Sequence, residues 1–117
     1  MSERGAPKRT PKEPLSKDQV LQRLREELPG LREMYGVQRI AIYGSFAHGK
    51  QTRRSDVDLL VELSRPLGFE FISLAYHLED VLGRRVELST FETLRRCLDM
   101  PRYSRLAHDV QETMSYV

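Results

Sequence analysis

The chain has 117 residues, 39% of them hydrophobic and 31% charged, one cysteine and a formal net charge of +2. That length supports one hydrophobic core and not two. No apolar run approaches the roughly 20 residues that cross a bilayer and no signal-peptide pattern is present, so a cytoplasmic location is the default. A lone Cys97 makes neither an internal disulfide nor a zinc cluster, and helical packing is its expected fate.

Residues 1–14, MSERGAPKRTPKEP, hold three prolines and almost nothing apolar. A disordered basic tail is expected there, followed by one domain over 15–117. Arg4, Lys8, Arg9 and Lys12 against Glu3 and Glu13 give the tail the whole +2 of the chain. The folded part is therefore electrically balanced, and direct nucleic-acid binding is not expected.

From Leu15 a helix is predicted, capped by Ser16, with Val20, Leu21, Leu24, Leu28 and Leu31 at near-helical spacing. Pro29-Gly30 is predicted to kink or interrupt it. Gly36 suits the left-handed residue after the helix, and Val37 starts the first strand.

The stretch IAIYGSFAHGKQTRRSDVDLLVEL, residues 40–63, organises the rest. It reads as a strand ending at Tyr43, a tight turn at Gly44-Ser45, a short helical or loop crossover, and a second strand. The second strand opens with Asp56 and Asp58. Side chains alternate along a strand, so the two carboxylates share a face about 6.6 Å apart, while Val57, Leu59, Val61 and Leu63 share the other. Paired carboxylates without an apolar screen repel, and a hard divalent cation such as Mg2+ relieves that repulsion. If Ser45 opens a short helix, the free amides of the Gly44-Ser45 turn form an anion seat. Lys50, Arg53 and Arg54 in the crossover add positive charge.

After a loop at Ser64–Gly68, an amphipathic helix is predicted from Phe69 to Leu82. It turns Phe71, Ile72, Ala75, Leu78, Val81 and Leu82 inward and ends at Gly83. A third strand over Arg85–Ser89 sends Val86 and Leu88 to the core and Glu87 to the opposite face. Beside the second strand, it would add Glu87 to the face of Asp56 and Asp58. Two further helices, Phe91–Leu98 and Tyr103–Tyr116, close the chain; His77 and His108 lie in these helical patterns and receive no ligand role. The expected fold is α/β (α+β), a small mixed sheet with helices on one face and the carboxylates on the other.

Gly44-Ser45, ten residues, then Asp56-x-Asp58 resembles the signature of the DNA polymerase β-type nucleotidyltransferases. Phe46-Ala47-x-Gly49 and Ser55-Asp56-Val57-Asp58-Leu59-Leu60-Val61 are similar to its minimal nucleotidyltransferase (MNT) branch, and the likeness extends over about residues 15–117. The resemblance implies a polymerase β-like fold that binds ATP and Mg2+. Asp56, Asp58 and Glu87 would be the catalytic and metal-binding carboxylates, and Gly44 and Ser45 the nucleotide-binding turn. Glu87 stands where the family usually has Asp. His48 stands where it commonly has Arg, with Lys50, Arg53 or Arg54 available to compensate.

MNT proteins are often encoded beside a HEPN-domain ribonuclease toxin and act as its antitoxin, several by transferring AMP to a tyrosine of that toxin. The resemblance implies the same here, with the partner supplying the acceptor. Two alternatives stand beside it: an antitoxin that masks its toxin by binding alone, and transfer to a small molecule such as an aminoglycoside.

Overall fold

The computed structural model describes residues 15–117, so the tail expected over 1–14 lies outside the described residues. Helix α1 (Lys17–Tyr35) starts with a capping box. The Ser16 hydroxyl accepts from the Gln19 amide at 3.1 Å, and the Gln19 side chain accepts from the Ser16 amide at 2.9 Å. Pro29-Gly30 does not interrupt the helix: α1 passes through the pair as one element. Pro29 and Arg25 are both exposed, so the Arg25 carbonyl deprived of its partner meets water. Buried Leu24, Leu31 and Tyr35 hold both halves against the sheet. Gly36, at φ 73°, ends the helix in the left-handed conformation and feeds β1 (Val37–Tyr43).

A single turn of helix, α2 (Ser45–His48), follows, then β2 (Val57–Leu63), α3 (Glu70–Leu82), β3 (Val86–Thr90), α4 (Phe91–Leu98), α5 (Ser104–Thr113) and β4 (Ser115–Tyr116). The sheet order is β3-β2-β1-β4, with β1 antiparallel to β2 and β4, and β2 parallel to β3. This is the expected mixed sheet.

Alternation sorts the two faces. Val57, Leu59, Val61 and Leu63 of β2 join Ile40 and Ile42 of β1 in the main core, against α1, Phe46 of α2, and Leu74, Leu78 and Leu82 of α3. On the other face Leu60 and Ala41 pack against Phe91 and Leu94 of α4 and Ala107 of α5. The second face, expected to be open, is thus covered over its middle by α4 and α5, because Leu60 and Ala41 are apolar there and require a cover. The end that carries the acids stays uncovered.

Two local expectations also change. Ile72 points outward, 51% exposed, because the 74-78-82 stripe sets the buried face of α3. The last helix stops at Thr113, not Tyr116. Met114 is extended, and Ser115–Tyr116 pair with Ile42 and Ala41. Tyr116 stacks on Phe91 with centroids 5.9 Å apart, and the Arg39 guanidinium lies 4.5 Å from the Phe91 ring centroid. These ring contacts favour the strand ending. Among the described residues no helix is long and apolar enough to cross a membrane.

Candidate active site

At the end of β1 the chain turns through Gly44 at φ 74°, ψ −148°, a conformation essentially reserved for glycine. A Cβ at this position would run into the Asp58 carboxylate. The one-turn helix α2 springs from the bend. The His48 amide donates to the Gly44 carbonyl at 3.1 Å, and the His48 ring Nδ1 lies 2.9 Å from the same oxygen. Gly44 sits directly against Asp58 at the start of β2.

The acids follow from strand register. Tyr43 of β1 is paired with Asp58 of β2, and Asp58 with Glu87 of β3. Cross-strand partners share a face, so the three side chains form a row across the sheet. Asp56 stands one residue ahead of β2. Burial, then the charge of Glu87, then that of Asp56 push the Asp58 carboxyl up to about 6. Burial and the charge of Asp58 likewise raise the Tyr43 phenol, against a hydrogen bond with Ser89, and Glu87 adds to the rise.

A divalent cation fits the chemistry of this donor set, which is all hard oxygen and carries mutual repulsion centred on Asp58. The three carboxylates do not, however, close into a cage. Among the described residues no three His, Cys, Asp or Glu side chains are grouped so as to hold a metal ion. Glu87 is exposed. An ion here would take its remaining ligands from water and phosphate oxygens, the usual habit of Mg2+.

The crossover loop is held by a residue that sequence reasoning missed. The Arg84 guanidinium, from the turn between α3 and β3, donates to the Thr52 carbonyl at 3.3 Å and the Ser55 carbonyl at 3.2 Å. It also lies 5.9 Å from the Phe46 ring centroid. Arg84 thereby ties the loop before Asp56 to the helix after Gly44. His48, Lys50, Arg53 and Arg54 are exposed around that loop. Tyr43 and Ser89 were missed as well; period-two alternation from Glu87 would have placed Ser89 on the acid face, whereas Tyr43 joins it through the β1–β2 register.

Comparison with known proteins agrees with this fold. Residues 18–113 match the nucleotidyltransferase domain family. A provisionally named protein adenylyltransferase of Methanocaldococcus jannaschii is 38% identical over 74 residues, 61% of this chain and 74% of the relative. Protein adenylyltransferase MntA of Thermococcus cleftensis is 41% identical over 66 residues, 56% of this chain and 67% of the relative. A solved chain described provisionally as a minimal nucleotidyltransferase superposes with TM-score 0.62 at 28% identity, covering 86% of this chain and 94% of that one. A toxin–antitoxin crystal structure with AMP-PNP shares the fold, with TM-score 0.57 at 22% identity over 87% of this chain and 72% of that one. The chain belongs to the nucleotidyltransferase domain family.

Proposed function

We propose that this protein is an antitoxin that transfers AMP from ATP to a tyrosine of a HEPN-domain ribonuclease toxin. The observation that carries the proposal is Asp58, set against the Gly44 bend and flanked by the charges of Asp56 and Glu87. The relative named MntA is a protein adenylyltransferase, and a fold neighbour was solved as a toxin–antitoxin with AMP-PNP.

In this scheme the amides of the Gly44-Ser45 turn hold the terminal phosphates, with Lys50, Arg53 and Arg54 close by. Asp56 and Asp58 would hold Mg2+, which supplies charge neutralisation for the triphosphate and the leaving pyrophosphate. Glu87 orients the acceptor hydroxyl and takes its proton as the oxygen attacks the α-phosphorus. Loss of that proton sharpens the nucleophile while the bond to the β-phosphate breaks.

The test is direct: incubate the chain with ATP, Mg2+ and a HEPN-domain toxin that it binds. An AMP adduct on a toxin tyrosine is expected by mass spectrometry. No adduct, under conditions where the two chains bind, overturns the proposal.

A binding-only antitoxin is favoured by one observation, the exposed Glu87 that does not close a three-carboxylate cluster. An Asp56→Ala/Asp58→Ala double variant separates the two: undiminished neutralisation of the toxin at equal dose would make catalysis dispensable.

A further inference from the structure

A slot of about 160 Å³ opens on the acid face, between the sheet and the α4–α5 pair. Leu60 and Leu94, both buried, line its depth, and Tyr103 and Leu106, 44% and 64% exposed, form its rim. Tyr43 and Ser89 line one end. That end adjoins the acids, because Tyr43 is the cross-strand partner of Asp58 and Ser89 lies two residues beyond Glu87 on the same face. Asp58 and Glu87 do not themselves line the slot; its Tyr43–Ser89 end lies next to them along the sheet.

Its chemistry narrows the occupant. An apolar cavity of about 150 Å³ takes up one benzene-sized ring. Leu60, Leu94, Ala107 and Val110 make the walls chiefly apolar, with the Thr93 hydroxyl the polar group between the acid end and the rim, so a purine lodged here would leave most of its ring nitrogens unpaired. A carboxylate or phosphate would meet the charges of Asp58 and Glu87. A ring that is apolar along its sides, with a single hydroxyl at its tip, satisfies every wall.

We propose that this slot is the acceptor seat, receiving the aromatic ring of a tyrosine from a partner polypeptide with its phenolic oxygen toward Glu87. The inference rests on the adenylyl-transfer function proposed above and adds where the acceptor binds. The phenolic oxygen forms the new bond to the α-phosphorus, the bond from that phosphorus to the β-phosphate oxygen breaks, pyrophosphate leaves, and the phenol proton passes to Glu87. Tyr103 and Leu106, remote from the phosphates, then determine acceptor affinity and not nucleotide affinity.

The probe is tyramine, a free phenol, supplied with ATP and Mg2+ to the wild type and to Leu106→Glu, Tyr103→Ala and Tyr103→Phe. Both rim positions are exposed, and melting curves verify that the variants fold. The wild type is expected to form the AMP–phenol adduct. Leu106→Glu and Tyr103→Ala should raise KM for tyramine roughly tenfold, with ATP affinity and slow ATP hydrolysis to AMP unchanged. Tyr103→Phe, which keeps the ring, should behave as the wild type.

Unchanged tyramine kinetics in both rim variants overturn the acceptor seat, as does a matching fall in ATP affinity, which would place the base in the slot. A wild type that binds and hydrolyses ATP but makes no phenol adduct overturns it too. A wild type that neither binds nor cleaves ATP removes the enzymatic function itself, a distinct result.

Discussion

Gly44 lies so close to the Asp58 carboxylate that no side chain fits between them, and its φ of 74° is one that L-residues rarely adopt. Bend and acid therefore form one unit, although fourteen positions separate them in the chain. Gly44→Ala should destabilise the protein by about 1–3 kcal/mol through backbone strain alone. Displacement of Asp58 should in addition abolish Mg2+-dependent ATP binding. A denaturant midpoint and an ATP titration check the two effects separately; a Gly44→Ala protein that binds ATP normally would show that bend and acid are independent.

Asp58 predicts a pH dependence. Its folded value is raised to about 6, above the usual carboxylate value near 4. A raised value means that the protonated form is favoured by folding. The contribution is fully present below about pH 4 and is lost as pH rises through about 6. Because Asp58 is half-exposed, solvent screening limits the effect to about 1 kcal/mol. In EDTA at pH 7, Asp58→Asn should melt about 4 °C or more above the wild type, with little difference at pH 4. Added Mg2+ should raise the melting temperature of the wild type only, by about 1.4 kcal/mol of stabilisation at tenfold over Kd.

Glu87 separates binding from chemistry. Glu87→Gln keeps the shape and loses the base, so AMP transfer should fall by about 10²-fold or more. ATP affinity should change little, since Asp56 and Asp58 remain. Glu87→Asp should retain transfer. Single-turnover rates beside an ATP titration check this, and equal losses in both variants would mean that Glu87 acts through its reach and not its basicity.

Arg84 makes a mechanical prediction. Arg84→Ala removes the two bonds to Thr52 and Ser55 and should free the crossover loop. Faster proteolysis between Lys50 and Arg54 is expected, with a stability loss of about 1–2 kcal/mol and a higher KM for ATP. Cleavage no faster than in the wild type would show that the loop holds itself, through the 2.8 Å bond from the Thr52 amide to the Ser55 hydroxyl.

Much of this protein is legible in its residues alone because the signals are local. The Ser16 cap, the Gly36 stop and the strand–bend–strand path through Gly44 all follow from patterns a few residues long. The parallel neighbour that brings Glu87 beside Asp58 follows from a helix between two strands. Tertiary structure alone decides the rest. Packing on both halves of α1 overrides the interruption expected at Pro29, and the pull of Arg39 and Phe91 on Tyr116 converts a helix end into β4. The same closure lays α4 and α5 over Leu60, creates the slot beside Glu87, and swings Arg84 across 29 positions to hold Ser55. Contacts between residues so far apart have no period to betray them; they exist only once hydrophobic burial has set which surfaces meet.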